Sequence, residues 1–216
     1  MIAAAFIIGA YLLGAVPFGL LIGRAHGVDI RTQGSHNIGA TNVGRVIGRK
    51  WGYLCLALDI LKGFAPTLGA SLLLPGQAAD PRRHLLRLLV ALAAVLGHVF
   101  PVYLRFRGGK GVATTVGVSL GLWPHYTIAM AVALVAYALV RFTTGAVSAG
   151  SLTLAVGFPA AFFAYARLTG LTLAEGWPLL TVACLLGLVI IVRHRENIRR
   201  LLGGKELSAK SESEAR

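Results

Sequence analysis

The sequence has few charged residues, and acidic ones are especially scarce. Only 13% of its 216 residues are Asp, Glu, Lys or Arg, whereas 56% are apolar. A soluble domain of this size needs more polar residues to cover its surface, and here the apolar residues come in long runs. Composition therefore excludes an ordinary soluble globule and indicates an integral membrane protein.

Cysteine is also nearly missing. Cys55 and Cys184 each lie inside an apolar run, and the chain has no CxxC motif or Cys/His spacing. We therefore expect two buried thiols, with no disulfide, no metal and no cofactor. The first apolar run has no basic segment before it, so it is interpreted as a retained span rather than a cleaved signal peptide.

The apolar runs predict an all-α, polytopic membrane protein with seven transmembrane helices. One crossing needs about 20 apolar residues. Pro17 predicts a kink in the first run, and Trp123-Pro124-His125 predicts a break that divides residues 112–140 into two short spans. The predicted runs are 2–23, 51–74, 85–104, the two parts of 112–140, 146–166 and 173–192. Residues 1–206 are interpreted as one membrane-embedded domain, followed by a polar, disordered tail at 207–216.

Basic residues outnumber acidic ones by 21 to 8, and they are distributed unevenly. With seven spans, segments 24–50, 105–111 and 141–145 and the C-terminal tail share one side and hold 16 of the 21 basic residues. The positive-inside rule makes that side cytoplasmic and puts the N-terminus outside. The rule accounts for the charge by itself, so an anionic substrate remains an alternative that net charge cannot test.

Three polar segments on that side carry candidate anion-binding groups. The first is rich in glycine and in short hydrogen-bond donors, and it ends in an arginine that can grip a phosphate through two bonds. Its candidates are Ser35, Asn37, Gly39, Thr41, Asn42 and Arg45. An ordinary solvated loop is the alternative interpretation.

The second segment is Arg107-Gly108-Gly109-Lys110-Gly111. We predict that a helix starts directly after these glycines, so that exposed amides and the Lys110 ammonium form an anion site. The spacing of a Walker A loop is missing, which disfavours an ATPase. The alternative is a short basic hairpin that only follows the positive-inside rule.

The third segment extends the last helix out of the membrane. His194 and Asn197 are three residues apart and can face the same ligand, although a basic helix lying on anionic lipid would have the same texture. Ser148 lies at the start of the sixth run, where lone serines are usually helix caps. Inside the spans, Asp59 and Lys62 are three residues apart and must be paired or face a wet cavity.

Taken together, the three polar segments resemble those of a known family, the bacterial acyl-phosphate:glycerol-3-phosphate acyltransferases, or PlsY family. Three motifs occur in order: Ser35-x-Asn37-x-Gly39-Ala40-Thr41-Asn42-x-x-Arg45, Gly108-Gly109-Lys110-Gly111-Val112-Ala113-Thr114, and His194-x-x-Asn197-Ile198-x-Arg200-Leu201-x-x-Gly204-x-Glu206. The stretches Leu58-Asp59-x-x-Lys62-Gly63 and Gly97-His98-x-Phe100-Pro101 are similar as well. His36 departs from the family, which usually has glycine there.

The resemblance implies an enzyme of the bacterial inner membrane with its active site facing the cytoplasm. It implies acyl transfer from acyl phosphate to the sn-1 hydroxyl of glycerol 3-phosphate, giving lysophosphatidic acid and inorganic phosphate, the first step of phospholipid synthesis. The implied partners are those two substrates, membrane lipids and the soluble enzyme that makes acyl phosphate, with no nucleic acid. Arg45, Lys110, His194 and Asn197 are implied as catalytic. Phosphate binding is implied for Ser35, Asn37, Gly39, Thr41, Asn42, Arg45, Gly108, Gly109, Lys110 and Ser148.

The residue chemistry agrees with this reaction, because an acyl phosphate already carries a good leaving group. The enzyme mainly needs to orient two anions and screen their repulsion. The sequence also lacks His-x-x-x-x-Asp, the base pattern of acyltransferases that use acyl-CoA or acyl carrier protein. The hydroxyl proton goes either to His194 or to the acyl phosphate itself, and the positive charges around His194 slightly favour the second route. An anion transporter or channel and a lipid-binding scaffold remain the alternative functions.

Overall fold

The structure is a computed structural model and describes residues 2–74 and 81–206. Every regular element in these residues is helical, which confirms the all-α fold class. The predicted tail at 207–216 and residues 75–80, between the second and third predicted spans, lie outside the described residues. The α-helices, in chain order, are α1 (Ile2–Ala15), α2 (Phe18–Ala25), α3 (Ala40–Val46), α4 (Arg49–Leu73), α5 (Pro81–Val99), α6 (Val112–Gly121), α7 (His125–Thr144), α8 (Val147–Leu168), α9 (Leu173–Arg193) and α10 (Arg195–Leu202).

Six stretches of the described residues are long and apolar enough to cross a bilayer, so the chain is a multi-pass membrane protein. They are Ile2–Ala25, Arg49–Leu73, His84–Leu104, His125–Thr144, Val147–Leu168 and Ala174–Arg193. Helices suit this setting because each satisfies its own backbone hydrogen bonds where water is missing. The break at Pro17 is confirmed, since α1 ends at Ala15 and α2 begins at Phe18.

The predicted break after the glycine loop is also confirmed, but α6 is short. It has ten residues, and its length of ~15 Å falls short of the ~30 Å apolar core of a bilayer. The preceding loop explains this, because it turns back onto the end of α5. Gly108 and Gly109 donate their N–H groups to the carbonyl oxygens of Val99 (3.2 Å) and His98 (3.1 Å). As a result α6 starts beside the last turn of α5 rather than beyond it. The expected total of seven crossings stays a prediction.

The chain divides into two compact units, Met1–Trp123 and Pro124–Arg216. In the first unit, glycines let the helix backbones approach closely, as is common between membrane helices. A Cβ on Gly14 of α1 would overlap the Ala94 carbonyl oxygen of α5, and one on Gly117 of α6 would overlap the Ile60 carbonyl oxygen of α4. The single-domain interpretation of residues 1–206 stays a prediction.

Replacing Gly14 by valine is expected to destabilise the first unit. The new side chain meets the α5 backbone, which cannot move aside as a flexible side chain would, so we expect a loss of ~1–3 kcal/mol. Gly9 on the same helix has nothing within 4 Å of an added Cβ and provides the matched control. Thermal unfolding in detergent measures the difference; equal melting temperatures for Gly14→Val and Gly9→Val would contradict the packing.

The second unit is held by an aromatic cluster and by a well-capped helix. Tyr126 of α7 is fully buried, donates to the Leu179 carbonyl oxygen at 2.5 Å and meets the rings of Phe158 and Phe162 edge-on. Helix α9 begins at a reciprocal cap in which Thr172 and Glu175 bond each other's backbone and side chains. Such a cap fixes where a helix starts, in agreement with the predicted start at residue 173.

Candidate active site

Asn42 is the side chain that shapes the first polar segment. Its Oδ1 accepts the N–H of Ser35 at 2.8 Å, and its Nδ2 lies 2.9–3.1 Å from the carbonyl oxygens of Ile30, Gln33 and Asn37. The side chain is 1% exposed, so both ends of the amide are directed at loop backbone. These bonds favour a loop-holding role for Asn42, and its predicted contact with phosphate stays a prediction.

The other candidates of this segment surround the start of α3. Asn37 Oδ1 accepts the N–H of Gly39, the extended residue that caps the helix. Ser35 is half-buried, Thr41 is exposed in the first turn, and Arg45 is half-buried in the last turn. The first turn of a helix has backbone N–H groups without intrahelical partners. The side-chain donors of these residues therefore lie beside backbone donors. The segment is therefore rich in hydrogen-bond donors, as the sequence predicts.

Arg31 of the same segment is committed to a neighbour instead. Its guanidinium makes a forked contact with Asp29, with Nε 2.9 Å from Oδ1 and Nη2 2.6 Å from Oδ2. Hydrogen bonding to Arg31 lowers the pKa of Asp29 to about 2, so the carboxylate stays charged at neutral pH. Arg31 is therefore a poor candidate for binding an anionic ligand.

His36 stands where the resembled family usually has glycine. Its φ of 56° lies in the left-handed region, as does the φ of 59° at neighbouring Gly34. This conformation costs a non-glycine residue ~1–2 kcal/mol. The ring Nδ1 lies 3.0 Å from the Arg31 carbonyl oxygen and, because a carbonyl only accepts, must donate to it. That bond partly offsets the strain and accounts for the departure.

The second segment has no room for side chains at its first two glycines. A Cβ on Gly108 would overlap the carbonyl oxygen of His98, and one on Gly109 would overlap the His98 ring. Gly111 has a φ of 87° and caps α6, which confirms the predicted helix start after the glycines. Lys110 is half-buried between these fixed glycines. The site is therefore a rigid loop with one ammonium and a helix start.

One apolar core supports both segments of the first unit. Ile30, Ile38 and Val43 belong to a buried cluster, and Leu104, directly before the second segment, packs against it. Helix α3 also lies on α4, where Gly44 and Gly52 allow backbone contact. The prediction that these two segments fold near each other is consistent with this shared support.

In the second unit, His194 is the hinge residue between α9 and α10. Its side chain is 2% exposed, and Nδ1 lies 2.8 Å from the Ile190 carbonyl oxygen. Since that oxygen can only accept, Nδ1 carries a proton, and the chemistry of the ring is left to Nε2. A neutral His194 can thus accept a proton only at Nε2.

Asn197 is held by a carboxylate from the end of the described chain. Glu206 Oε1 accepts from Asn197 Nδ2 at 2.7 Å, and Oε2 accepts from Arg200 Nε at 2.9 Å. The chain returns because Gly204 has a φ of 65° and because Lys205 N–H bonds the Arg200 carbonyl at 2.8 Å. This glycine-ended turn is a common helix stop. Glu206 thereby fixes which way the Asn197 amide points.

Ser148 lies beside the same carboxylate rather than acting as a helix cap. The residue that caps α8 is Ala146, and the Ser148 hydroxyl is buried in the first helical turn. The proximity of Ser148 to Glu206 helps to stabilise the charged carboxylate. The interpretation of Ser148 as an ordinary cap is therefore wrong, and its predicted phosphate contact stays a prediction.

Replacing Glu206 by glutamine is expected to destabilise the second unit in a pH-dependent way. Burial raises the pKa of Glu206, but the nearby Ser148 hydroxyl and the hydrogen bonds from Asn197 and Arg200 together lower it more, so the net pKa is below 4.5. A lowered carboxyl pKa stabilises the fold above pH 4.5, and this contribution is lost as pH falls through the folded-state pKa. Melting temperatures of wild type and Glu206→Gln should thus differ most at neutral pH and converge in acid. A difference that grows in acid would contradict this assignment.

Two positions emerge here that the motifs alone do not assign. Glu206 belongs to the third motif without a predicted role, and its signal in the sequence is the Gly203-Gly204 turn that brings it back. The His98 ring packs against Gly109 of the glycine loop. The signal in the sequence is Pro101, three residues later, because a proline there indicates that the helix ends and the chain turns. The predicted gathering of all three segments into one cleft stays a prediction.

The candidate residues of each unit offer groups that suit anionic ligands. Arg45, Lys110 and the two loop backbones offer positive charge and N–H groups, whereas His194 and Asn197 offer an imidazole and an amide. Among residues 2–74 and 81–206, no cluster of three His, Cys, Asp or Glu side chains could hold a metal ion. Such groups can bind phosphate and orient a hydroxyl.

Comparison with known proteins agrees with this chemistry. The chain is 45% identical over 201 residues to a glycerol-3-phosphate acyltransferase of Desulfotalea psychrophila, covering 93% of this chain and 95% of that protein. It is 45% identical over 205 residues to the protein of the same description from Geotalea daltonii, covering 93% and 94%.

A solved structure is similar as well. The crystal structure of PlsY (YgiH), an integral membrane glycerol 3-phosphate acyltransferase, in its glycerol 3-phosphate form has a TM-score of 0.79 and 39% identity to this chain. The match covers 96% of each chain. The profile of the family described as Glycerol-3-phosphate acyltransferase matches residues 4–204. This chain therefore belongs to the glycerol-3-phosphate acyltransferase family.

Proposed function

We propose that this membrane acyltransferase uses an acyl phosphate as donor and acylates the sn-1 hydroxyl of glycerol 3-phosphate. The hydroxyl oxygen forms a bond with the acyl carbonyl carbon, and the bond from that carbon to the phosphate oxygen breaks. The products are lysophosphatidic acid and inorganic phosphate. The observation that carries the proposal is the presence in the first unit of two preformed, cationic loops, one organised by Asn42 and the other fixed on His98.

An activated donor matches what these loops offer. Arg45 and Lys110 neutralise the phosphates, and loop amides stabilise the charge that builds up on the leaving group. Holding the reactants in place supplies much of the remaining acceleration, since the loops need little reorganisation. Donors come from Ser35, Asn37 and Thr41, and Ser148 adds a hydroxyl in the second unit. The N–H groups of Gly39, Gly108 and Gly109 already bond within the protein, so these glycines contribute close backbone approach.

Asn197 orients the attacking hydroxyl, and the proton passes to an oxygen of the departing phosphate. The Asn197 Nδ2 is engaged with Glu206, so its Oδ1 is the atom suited to accept from the hydroxyl. Proton acceptance by His194 Nε2 is the competing route. A His194→Gln variant that keeps most of its turnover supports the substrate-assisted route, and one that loses nearly all of it supports the base.

In the cell, we place the protein in the bacterial inner membrane with both loops and the C-terminus cytoplasmic and the N-terminus outside. The asymmetry of basic residues supports this orientation. Helix α6 then completes the set of seven membrane helices together with the six longer spans. It is short because the loop before it turns back onto the last turn of α5. The donor comes from a soluble enzyme that makes acyl phosphate. Cysteine accessibility at residues added before Met1 and after Arg216 tests the two sides.

A donor comparison with purified protein tests the proposal. Palmitoyl phosphate, palmitoyl-CoA and palmitoyl acyl carrier protein are each supplied with glycerol 3-phosphate, and lysophosphatidate and inorganic phosphate are measured. We expect equal amounts of lysophosphatidate and inorganic phosphate when palmitoyl phosphate is the donor, and no product with the other two donors. Product only from the thioesters would refute the donor assignment. Uptake of labelled phosphate by liposomes without donor would instead favour the transporter.

A further inference from the structure

A cluster of three ionisable side chains lies beneath the glycine loop. Asp59 and Lys62 of α4 form an ion pair of 2.7 Å, and His98 Nδ1 of α5 lies 3.7 Å from the same Asp59 oxygen. Their exposures are only 2%, 3% and 4%. Apolar residues of similar size would be at least as stabilising at such a depth, so a buried charged cluster needs another explanation.

One side of the cluster holds the break between the first two helices. Lys62 Nζ donates to the Val16 carbonyl oxygen at 2.9 Å, and it lies 5.5 Å from the Phe18 ring. Pro17 follows Val16 and interrupts the helix there. The Val16 carbonyl oxygen also accepts the Phe18 N–H at 3.1 Å, so Lys62 shares this carbonyl with the first backbone N–H after the break. Helix α2 then carries Gly19, whose Cα lies against the Ile38 carbonyl of the first loop. The cluster is therefore part of the support of the first loop.

The other side of the cluster holds the glycine loop. The His98 ring is packed so closely under Gly109 that a Cβ on Gly109 would overlap Nε2 and lie 2.7 Å from Cε1. The His98 carbonyl also accepts the Gly109 N–H at 3.1 Å. Lys110 is the next residue. The position of the His98 ring, which faces Asp59 from 3.7 Å, thus influences where the Lys110 backbone lies.

We propose that His98, oriented by the Asp59–Lys62 pair, is a positioning residue that places Lys110 for catalysis. It does not touch substrate; it acts through Gly109. A displacement of a charged group by ~1 Å can lower a rate ~10²-fold, so a ring packed directly against the loop backbone is a sensitive support. This inference rests on the proposed role of Lys110 as a phosphate-binding group.

A double-mutant cycle on kcat/KM tests the proposal. His98→Ala should lower kcat/KM ~30-fold or more in the wild-type background. When Lys110 is already alanine the same change should cost less than threefold, because no ammonium is left for the loss of the ring to displace. If His98→Ala acted only by disturbing the fold, its fold-loss in kcat/KM would be the same in both backgrounds and would multiply with the loss caused by Lys110→Ala. Thr67→Val is the matched control, since Thr67 is buried on α4 and its hydroxyl bonds only the Gly63 carbonyl of its own helix.

A second cycle tests the contact itself. Gly109→Ala alone should be strongly impaired, because its Cβ meets the His98 ring, and Gly109→Ala combined with His98→Ala should be no worse than His98→Ala. If His98→Ala does not fold, His98→Asn keeps an amide nitrogen near the place of Nδ1 and takes its place in both cycles. Multiplicative effects in the first cycle, or loss of folding in both His98 variants, would overturn the inference. If the wild type fails to use any acyl phosphate, the proposed donor falls, and the cycle is run with the donor that works.

Discussion

Asn42→Asp is expected to lower kcat/KM of glycerol 3-phosphate acylation at least ~100-fold with little change in side-chain size. Aspartate keeps the acceptor for the Ser35 N–H but loses the donor that faces the carbonyl oxygens of Ile30, Gln33 and Asn37. A buried carbonyl left without its donor costs about 1–3 kcal/mol, and here a negative charge also faces three such oxygens. The loop should therefore lose its shape rather than a single contact.

The matched control for Asn42 is Gln33→Ala, which keeps the Gln33 backbone carbonyl and removes only an exposed side chain. It should retain nearly full activity. Initial rates over a range of glycerol 3-phosphate concentrations, with melting temperatures for each variant, separate loss of the loop from loss of the whole fold. Activity of Asn42→Asp within threefold of wild type would show that the loop does not depend on this amide.

Lys110→Ala is expected to lower kcat/KM by ~10²–10³-fold, equivalent to about 3–4 kcal/mol of transition-state stabilisation. The reason is that the glycines on either side hold the Lys110 backbone in place, and a flexible cation elsewhere on the surface cannot take over its position. Arg45→Ala should have an effect of similar size, and Arg45→Lys should recover only part of it because the forked guanidinium is lost. All three are measured as lysophosphatidate formed per minute by detergent-purified protein.

Arg49→Ala provides the comparison for both cations, since Arg49 is an exposed basic residue at the start of α4. It removes the same charge from the same polar region. If Lys110→Ala and Arg49→Ala had equal and small effects, basic residues would matter only as a surface charge. That result would favour a lipid-binding scaffold and would remove Lys110 from the active site.

The sequence predicts features that depend on neighbouring residues. Pro17 breaks a helix because proline lacks an N–H, and Gly111 starts one because the loop needs a positive φ. The pairing of Asp59 with Lys62 follows in the same way, since residues three apart share a helix face and a charge in a span needs a partner. These parts of the fold are local, and simple spacing is enough to find them.

The rest depends on contacts between distant residues, which spacing does not encode. Nothing near Asn42 in the chain indicates that its amide will reach Ile30, twelve residues away. Likewise, the sequence predicts two short spans in residues 112–140, but it does not show that the glycine loop returns to Val99 and that α6 has only ten residues. The position of His98 under Gly109 has the same origin, because it appears only once α5 and the loop have packed.

The reach of Glu206 back to Asn197 has a practical consequence for shortening the protein. Its carboxylate is the last described side chain, yet it bonds both Asn197 and Arg200. A version ending at Lys205 would release the amide that we expect to guide the attacking hydroxyl, whereas an affinity tag joined after the final residue would leave it held. The end of α10 at Leu202 is thus too early a place to cut the chain, because Glu206 still contacts that helix.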